Sequence, residues 1–287
     1  MRLDPRICFI ASACISLVMA GLGCSSERDD APVSIEKFKK LARSSSLRSY
    51  GPDTPEPQWE VYRKDGGVFV RPYRRPPAPA EKPVRVILEY DRGSDPGGIR
   101  WLRVSDGWLV GRAYGEFNSG LDWFSPDNER RYRLSIENIR GFIKFKGRIY
   151  ALAGLDMGSN FGCEVLKLDR NEDTGRWSAE KFADLPGAPS AAVIDDRGAM
   201  IIATSAGLVE LWPDARKKLL VPWKSGGMLH PDTEIIGANV GLDFNSFVMV
   251  AGGDTAYIGM PQAVIEITSL KTKPKIRRFI HNTPSSD

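Results

Sequence analysis

The chain is poor in the residues from which most catalytic sites are built. Its 287 residues include two histidines, His230 and His281, and four cysteines, Cys8, Cys14, Cys24 and Cys163. Zinc centres need several His or Cys side chains converging on one ion, so that chemistry is excluded, as is a paired-histidine metalloprotease motif. The chain has no Gly-x-Ser-x-Gly elbow, no phosphate-cradling Gly-Lys-Ser or Gly-Lys-Thr, and no Gly-x-Gly-x-x-Gly after a strand. A formal charge of +4 spread over this length argues against a nucleic-acid partner, which needs a concentrated basic face. What is present is 42% hydrophobic and 26% charged residues, with 28 Gly and 20 Pro. That is a globular balance rich in turn formers, enough for one large β domain or two small ones.

The N-terminus has the form of an export signal. Arg2 and Arg6 precede an apolar run from Ile7 to Ala20, and Gly21-Leu22-Gly23-Cys24-Ser25-Ser26 follows. A charged start, a short apolar core and small residues at the break describe a secretory signal; the alternative is an uncleaved membrane anchor. The segment resembles the lipobox of bacterial lipoproteins, although Gly21 stands where that motif prefers Leu. The resemblance implies cleavage before Cys24 and a lipid on its thiol. It also implies, through Ser25 in place of Asp, an outer-membrane site facing the periplasm. Cys8 and Cys14 would leave with the signal, so the mature body could form no internal disulfide. Cys163, inside an apolar run, reads as a small buried hydrophobe.

Residues 1–23 are thus expected to be signal, 24–58 a tether and 59–287 a folded domain. The tether is rich in Ser, Pro and charge, and Gly51-Pro52-Asp53-Thr54-Pro55-Glu56-Pro57 can hold neither helix nor central strand. Within it, Ser34 to Arg43 suits a short helix capped by Ser34, with Ile35, Phe38, Leu41 and Ala42 on one face and Lys37, Lys39, Lys40 and Arg43 polar. Such a helix either lies on anionic lipid or docks on the domain.

The body reads as all β and repetitive, with period-two apolar runs between Gly, Asp, Asn and Pro turns. Four units each show four strands, opening at Ile99–Val104, Gly141–Phe145, Ala191–Ile194 and Ser246–Val250. The turn after each first strand holds Gly107, Gly147, Gly198 and Gly253, at offsets of 40, 51 and 55 residues. Four-stranded units at such spacing predict the blades of a β-propeller, because radial packing covers both apolar faces of every sheet. Trp59–Tyr90, with Val61, Gly67–Val70 and Val84–Leu88, offers an irregular fifth blade. Five blades are favoured, with four and six as alternatives. Ser190 to Gly198 and Asn239 to Phe244 resemble the blades of NHL and lactonase-type propellers.

That resemblance implies a divalent-metal site, Ca²⁺ by its oxygen ligands, with Asn239 as one ligand. Asp169, Asn171 and Asp173 alternate as in an EF-hand loop, yet Thr174 occupies the place of the required Gly, which also allows a plain hairpin turn. His230, in the link between the third and fourth units, suits a channel mouth or a solvated loop. Trp101, Trp123, Arg112 and Arg131 are the binding-surface candidates, since Trp and Arg dominate hot spots when they share a face.

Three functional readings follow. The favoured one is a non-enzymatic, envelope-anchored binding module for a protein or cell-wall component, such as a periplasmic inhibitor or immunity protein. The others are a Ca²⁺-dependent lactonase-like hydrolase and an outer-membrane assembly scaffold.

Overall fold

The computed structural model describes residues 32–44, 59–72, 98–115, 118–156, 160–222, 248–260 and 263–280. Cys24, the strand expected at Val84–Leu88, and the link carrying His230 and Asn239 lie outside the described residues.

Alternation of apolar and polar residues becomes strand pairing along almost all of this chain. β1 (Val33–Ser34) and α1 (Ile35–Ser44) are followed by the hairpin β2 (Trp59–Lys64) and β3 (Gly67–Pro72), and β1 joins the edge of β3. Four antiparallel meanders come next. The first is β4 (Ile99–Val104), β5 (Gly107–Arg112), β6 (Gly120–Phe124) and β7 (Arg131–Ser135). The second is β8 (Ile139–Phe145), β9 (Arg148–Asp156), β10 (Asn160–Arg170) and β11 (Trp177–Asp184). The third is β12 (Pro189–Ile194), β13 (Met200–Thr204), β14 (Gly207–Leu211) and β15 (Lys217–Pro222). The fourth is β16 (Val248–Gly252), β17 (Thr255–Met260), β18 (Ala263–Thr268) and β19 (Lys275–Ile280).

The first strands stand side by side in the order β4, β8, β12, β16, β2. This radial order is that of propeller blades, and the all-β propeller expected from the repeats is the fold. The N-terminal sheet sits beside the last blade. Among the described residues it supplies three strands where the other blades supply four.

Each junction is an apolar layer shared by two blades. Leu109 and Leu121 meet Ala151 and Leu166, Leu152 and Val165 meet Ile202 and Leu211, and Ile201 and Leu208 meet Ile258 and Ile267. Two glycines allow the closest approaches. A Cβ on Gly111 would lie 2.3 Å from Ile139 Cγ2, and one on Gly259 would lie 2.2 Å from the Trp59 carbonyl oxygen.

The helix expected at Ser34–Arg43 forms, and it is docked. Ser34 Oγ accepts from the Lys37 amide at 3.3 Å as its N-cap. Ile35 and Phe38 are buried with Trp59, Val61, Val70, Val264 and Phe279, and the Phe38 and Trp59 rings meet edge to face at 5.0 Å. Ile35 and Phe38 of the apolar face are therefore buried against the last blade and the N-terminal sheet, while Leu41 stays 38% exposed. Among the described residues no helix is long and apolar enough to cross a membrane.

Candidate binding site: an arginine and aromatic rim

In an antiparallel meander the first and third turns fall at one end, and the second turn falls at the other with the links between blades. At the first of these ends, blades one and two share a run of ring contacts. The Arg176 guanidinium lies 4.6 Å from the Tyr132 ring centre. Tyr132 stacks on Trp123 at 5.1 Å with 27° between the planes, and Arg130 lies 5.9 Å from the Trp123 ring.

Local chemistry fixes each member. Trp123 and Tyr132 are cross-strand partners in β6 and β7. Arg130 closes the turn between them: its amide donates to Ser125 Oγ at 3.0 Å and its carbonyl accepts from the Ser125 amide at 2.9 Å. Arg176 closes the β10–β11 turn, its carbonyl accepting from the Asn171 amide at 2.8 Å. The next residue, Trp177, ties the blades together, donating its amide to Tyr132 Oη at 2.7 Å and its indole N–H to Asp106 at 3.0 Å. Arg170 donates to the same Asp106 carboxylate at 2.7 Å. Burial pushes the Asp106 carboxyl up, but the Trp177 and Arg170 hydrogen bonds outweigh it and hold its pKa below the usual carboxylate value.

The arrangement repeats around the rim. Arg103 lies 4.8 Å from the Trp108 ring and Arg216 lies 5.6 Å from Trp212. Arg103, Arg130, Arg176 and Arg216 are all exposed. An arginine on an aromatic face gains about 0.5–1 kcal/mol at an exposed site. More usefully, it keeps its planar N–H fork in one orientation, ready for a carboxylate or phosphate.

Two of the expected surface residues are not at the surface. Arg112 is 2% exposed and ion-paired with the equally buried Asp122, which Arg133 also reaches at 3.3 Å. Arg112 is core, and Trp123 is likewise only 7% exposed. Trp101 is half-buried among Ile99, Trp108 and Phe124, and Arg131 is exposed. Tyr132 and Arg176 escaped the sequence reading. The available signal was that Tyr132 and Trp177 stand at the starts of the fourth strands of successive blades, β7 and β11.

The alternating segment at residues 169–175 is the end of β10 and the hairpin turn into β11. Asn171 Oδ1 accepts from the Thr174 amide at 2.8 Å and from Thr174 Oγ1 at 3.0 Å. Asp169 is ion-paired with Lys167, and Asp173 is exposed. No cluster of three or more His, Cys, Asp or Glu suited to a metal occurs among the described residues.

Among the described residues, Cys163 and Ser119 are no better placed as nucleophiles. Cys163 is buried, its Sγ 3.9 Å from the Leu155 carbonyl. Ser119 Oγ spans the Gly115 carbonyl at 2.8 Å and Asn138 Oδ1 at 2.6 Å, groups that hold a turn and take no proton from a nucleophile. The Glu164 carboxyl is pushed up by burial and then by the neighbouring Glu137 charge, with Lys181 at 3.6 Å opposing.

No protein-family model matches the chain, and no curated protein matches it. Among solved structures it is similar to virginiamycin B lyase from Staphylococcus aureus, at 14% identity and TM-score 0.38 over 82% of this chain and 73% of that one. It is also similar to a structural genomics protein of unknown function from Bacteroides thetaiotaomicron, at 11% identity and TM-score 0.37 over 64% of this chain and 46% of the other. A third similarity is to AztD from Citrobacter koseri, at 13% identity and TM-score 0.33, covering 64% and 47%. The chain thus spans under half the length of two of these three proteins.

Proposed function

We propose that the chain is a lipid-anchored propeller of the bacterial envelope that binds a partner through its arginine and aromatic rim and does no chemistry of its own. One observation carries this reading: Arg130 and Arg176 are exposed guanidiniums on ring planes already fixed by cross-strand pairing and by the Trp177–Tyr132 hydrogen bond. Binding through such a surface requires little further ordering, which is where preorganised interfaces gain affinity. The partner chemistry that fits is anionic, a carboxylate-bearing protein surface or cell-wall polymer. Cys24 would fasten the propeller to the membrane on the periplasmic side.

The test is capture from the native envelope with the acylated chain, beside the variant Arg130→Ala/Arg176→Ala. A partner retained by the wild type and lost with the variant supports the reading. Equal retention would move the binding site elsewhere. Stoichiometric Ca²⁺ in the purified protein, together with ester hydrolysis abolished by a chelator, would favour the lactonase-like alternative instead. Outer-membrane insertion machinery among the captured proteins would favour the scaffold. Mass spectrometry of the N-terminal peptide checks the lipid on Cys24.

A further inference from the structure

The described fold first grips the chain at Val33, which pairs with Val70 of β3. If Cys24 carries the lipid, only residues 25–32 separate anchor and body. Fully extended, that stretch reaches no more than about 30 Å. A tether running on to residue 58 would reach about 120 Å. With such an anchor, docking of α1 would remove most of the slack and keep the flank where α1 meets the last blade within that reach of the bilayer.

That flank is cationic. Lys37 and Lys40 are exposed on α1. On the last blade Phe279, Arg277 and Lys275 share one face, opposite Val264, Glu266 and Thr268. Phe279 packs in the same layer as Phe38, and Arg277 lies 4.0 Å from the Glu266 carboxylate that holds Lys39. Lys275 continues the row, and the β18–β19 turn adds Lys271 and Lys273, all exposed. Among the described residues the opposing charges are few and committed. Glu266 is buried behind Lys39, Glu36 bonds to Lys39 at 2.8 Å, Asp254 accepts from the Lys271 amide at 2.9 Å, and Asp196, which also feels the Lys271 charge, accepts from the Gly253 amide at 2.9 Å. No Asp or Glu occurs from Ile267 to Ser286.

The residue type points to the ligand. Five of these six cations are lysines, compact and strongly hydrated charges on flexible stems, which suit a fluid layer of headgroups rather than one bidentate ligand. The rim of the first three blades has the opposite character, arginines held on rings.

We propose that the flank formed by α1 and the β18–β19 hairpin is the membrane-facing side of the propeller and rests on anionic phospholipid headgroups, without insertion. The proposal builds on the lipid anchor at Cys24, and the two can fail separately.

The test is lysine footprinting of the mature acylated chain on vesicles of phosphatidylcholine alone or with phosphatidylglycerol, using a water-soluble acylating reagent and peptide mass spectrometry. Labelling of Lys37, Lys40, Lys271, Lys273 and Lys275 is expected to slow severalfold on the anionic vesicles alone. High salt should restore it, and Lys146, Lys181 and Lys218 should label equally on both. Each lysine removed should weaken the contact about fivefold, so the variant Lys271→Gln/Lys273→Gln/Lys275→Gln should free Lys37 and Lys40 to label at the zwitterionic rate. Equal labelling on both vesicles, with the protein still bound, would overturn the flank and spare the anchor. Wash-off from phosphatidylcholine vesicles would reject the anchor. The same chain then decides the flank by whether it sediments with anionic vesicles with these lysines protected, and failure to do so overturns it.

Discussion

Lys39 of α1 donates its ammonium to the carboxylate of Glu266, 227 residues further along the chain. Both side chains are buried, and Tyr257 Oη donates to the same carboxylate at 3.0 Å. The lysine also lies 5.3 Å from the Tyr257 ring centre and 5.8 Å from that of Phe279. One ion pair therefore fastens the first described helix to the last blade, across the junction where the N-terminal sheet meets the C-terminal one.

Removing one partner of a buried pair strands the other, at a cost of about 3 kcal/mol or more. Lys39→Met should destabilise the fold by about that amount, with amide exchange rising first in α1 and β1. The double variant Lys39→Met/Glu266→Leu should recover much of the loss, because neither charge is then left alone. Additive losses in denaturant titrations would show that the two residues do not act as a pair.

The same pair makes the fastening sensitive to alkali. Burial pulls the Lys39 ammonium down, but its hydrogen bonds to Glu266 and Glu36 outweigh that and place its pKa above the ordinary lysine value. A group raised in the folded state contributes fully below its unfolded pKa, about 10.4, and loses that contribution as pH rises through the folded value. The stability gap between wild type and Lys39→Met should hold at neutral pH and shrink above about pH 10.4. A gap constant across that range would reject the assignment.

Asp106 works in the opposite direction. Its lowered pKa means that its contribution is present above the unfolded value of about 3.9 and is lost as pH falls through the folded one. Acid should therefore loosen the contact of blade one with Arg170 and Trp177, at a pH below that at which ordinary carboxyls take up a proton. The Trp177 indole N–H resonance should shift and exchange faster below about pH 4, and Asp106→Asn should remove most of that pH dependence. An indole signal indifferent to acid would discard the clasp.

Most of the blade strands were legible because alternation and tight turns are local. The first strand of the fourth unit, expected at Ser246–Val250, is described over Val248–Gly252, and the second unit gains Ile139 and Arg140 at its start. What was not legible depended on partners distant in sequence. Val33–Ser34 is too short for any period to show, yet it completes a sheet by pairing with Phe69 and Val70. Arg112 reads as a surface charge until register places it opposite Gly120, whose missing side chain leaves room for the guanidinium to reach Asp122. A Cβ on Gly120 would lie 3.2 Å from Arg112 Nη2. The α1 sequence favoured the domain or a plain linker over lipid, and Ile35 and Phe38 are buried with Trp59 and Phe279.

The glycines separate two kinds of constraint that look alike in sequence. Gly147 has φ 76 with open space around its Cβ position, so Gly147→Ala should cost only the left-handed penalty, about 1–2 kcal/mol. Gly259 is limited by contact instead: its Cβ would sit 2.2 Å from the Trp59 carbonyl oxygen and 3.0 Å from Val61 Cγ2. Neither a backbone carbonyl nor a β-branched side chain yields easily, and the layer shared by β17 and β2 would have to open. Gly259→Ala should cost at least about 3 kcal/mol, the upper part of the overpacking range. Gly111→Ala, which meets the Ile139 side chain at 2.3 Å, should fall between the two. Urea midpoints in the order Gly147→Ala, Gly111→Ala, Gly259→Ala, from highest to lowest, would support close blade contact as the reason for these glycines. A Gly259→Ala midpoint near that of the wild type would mean that the N-terminal sheet does not pack against the last blade in solution.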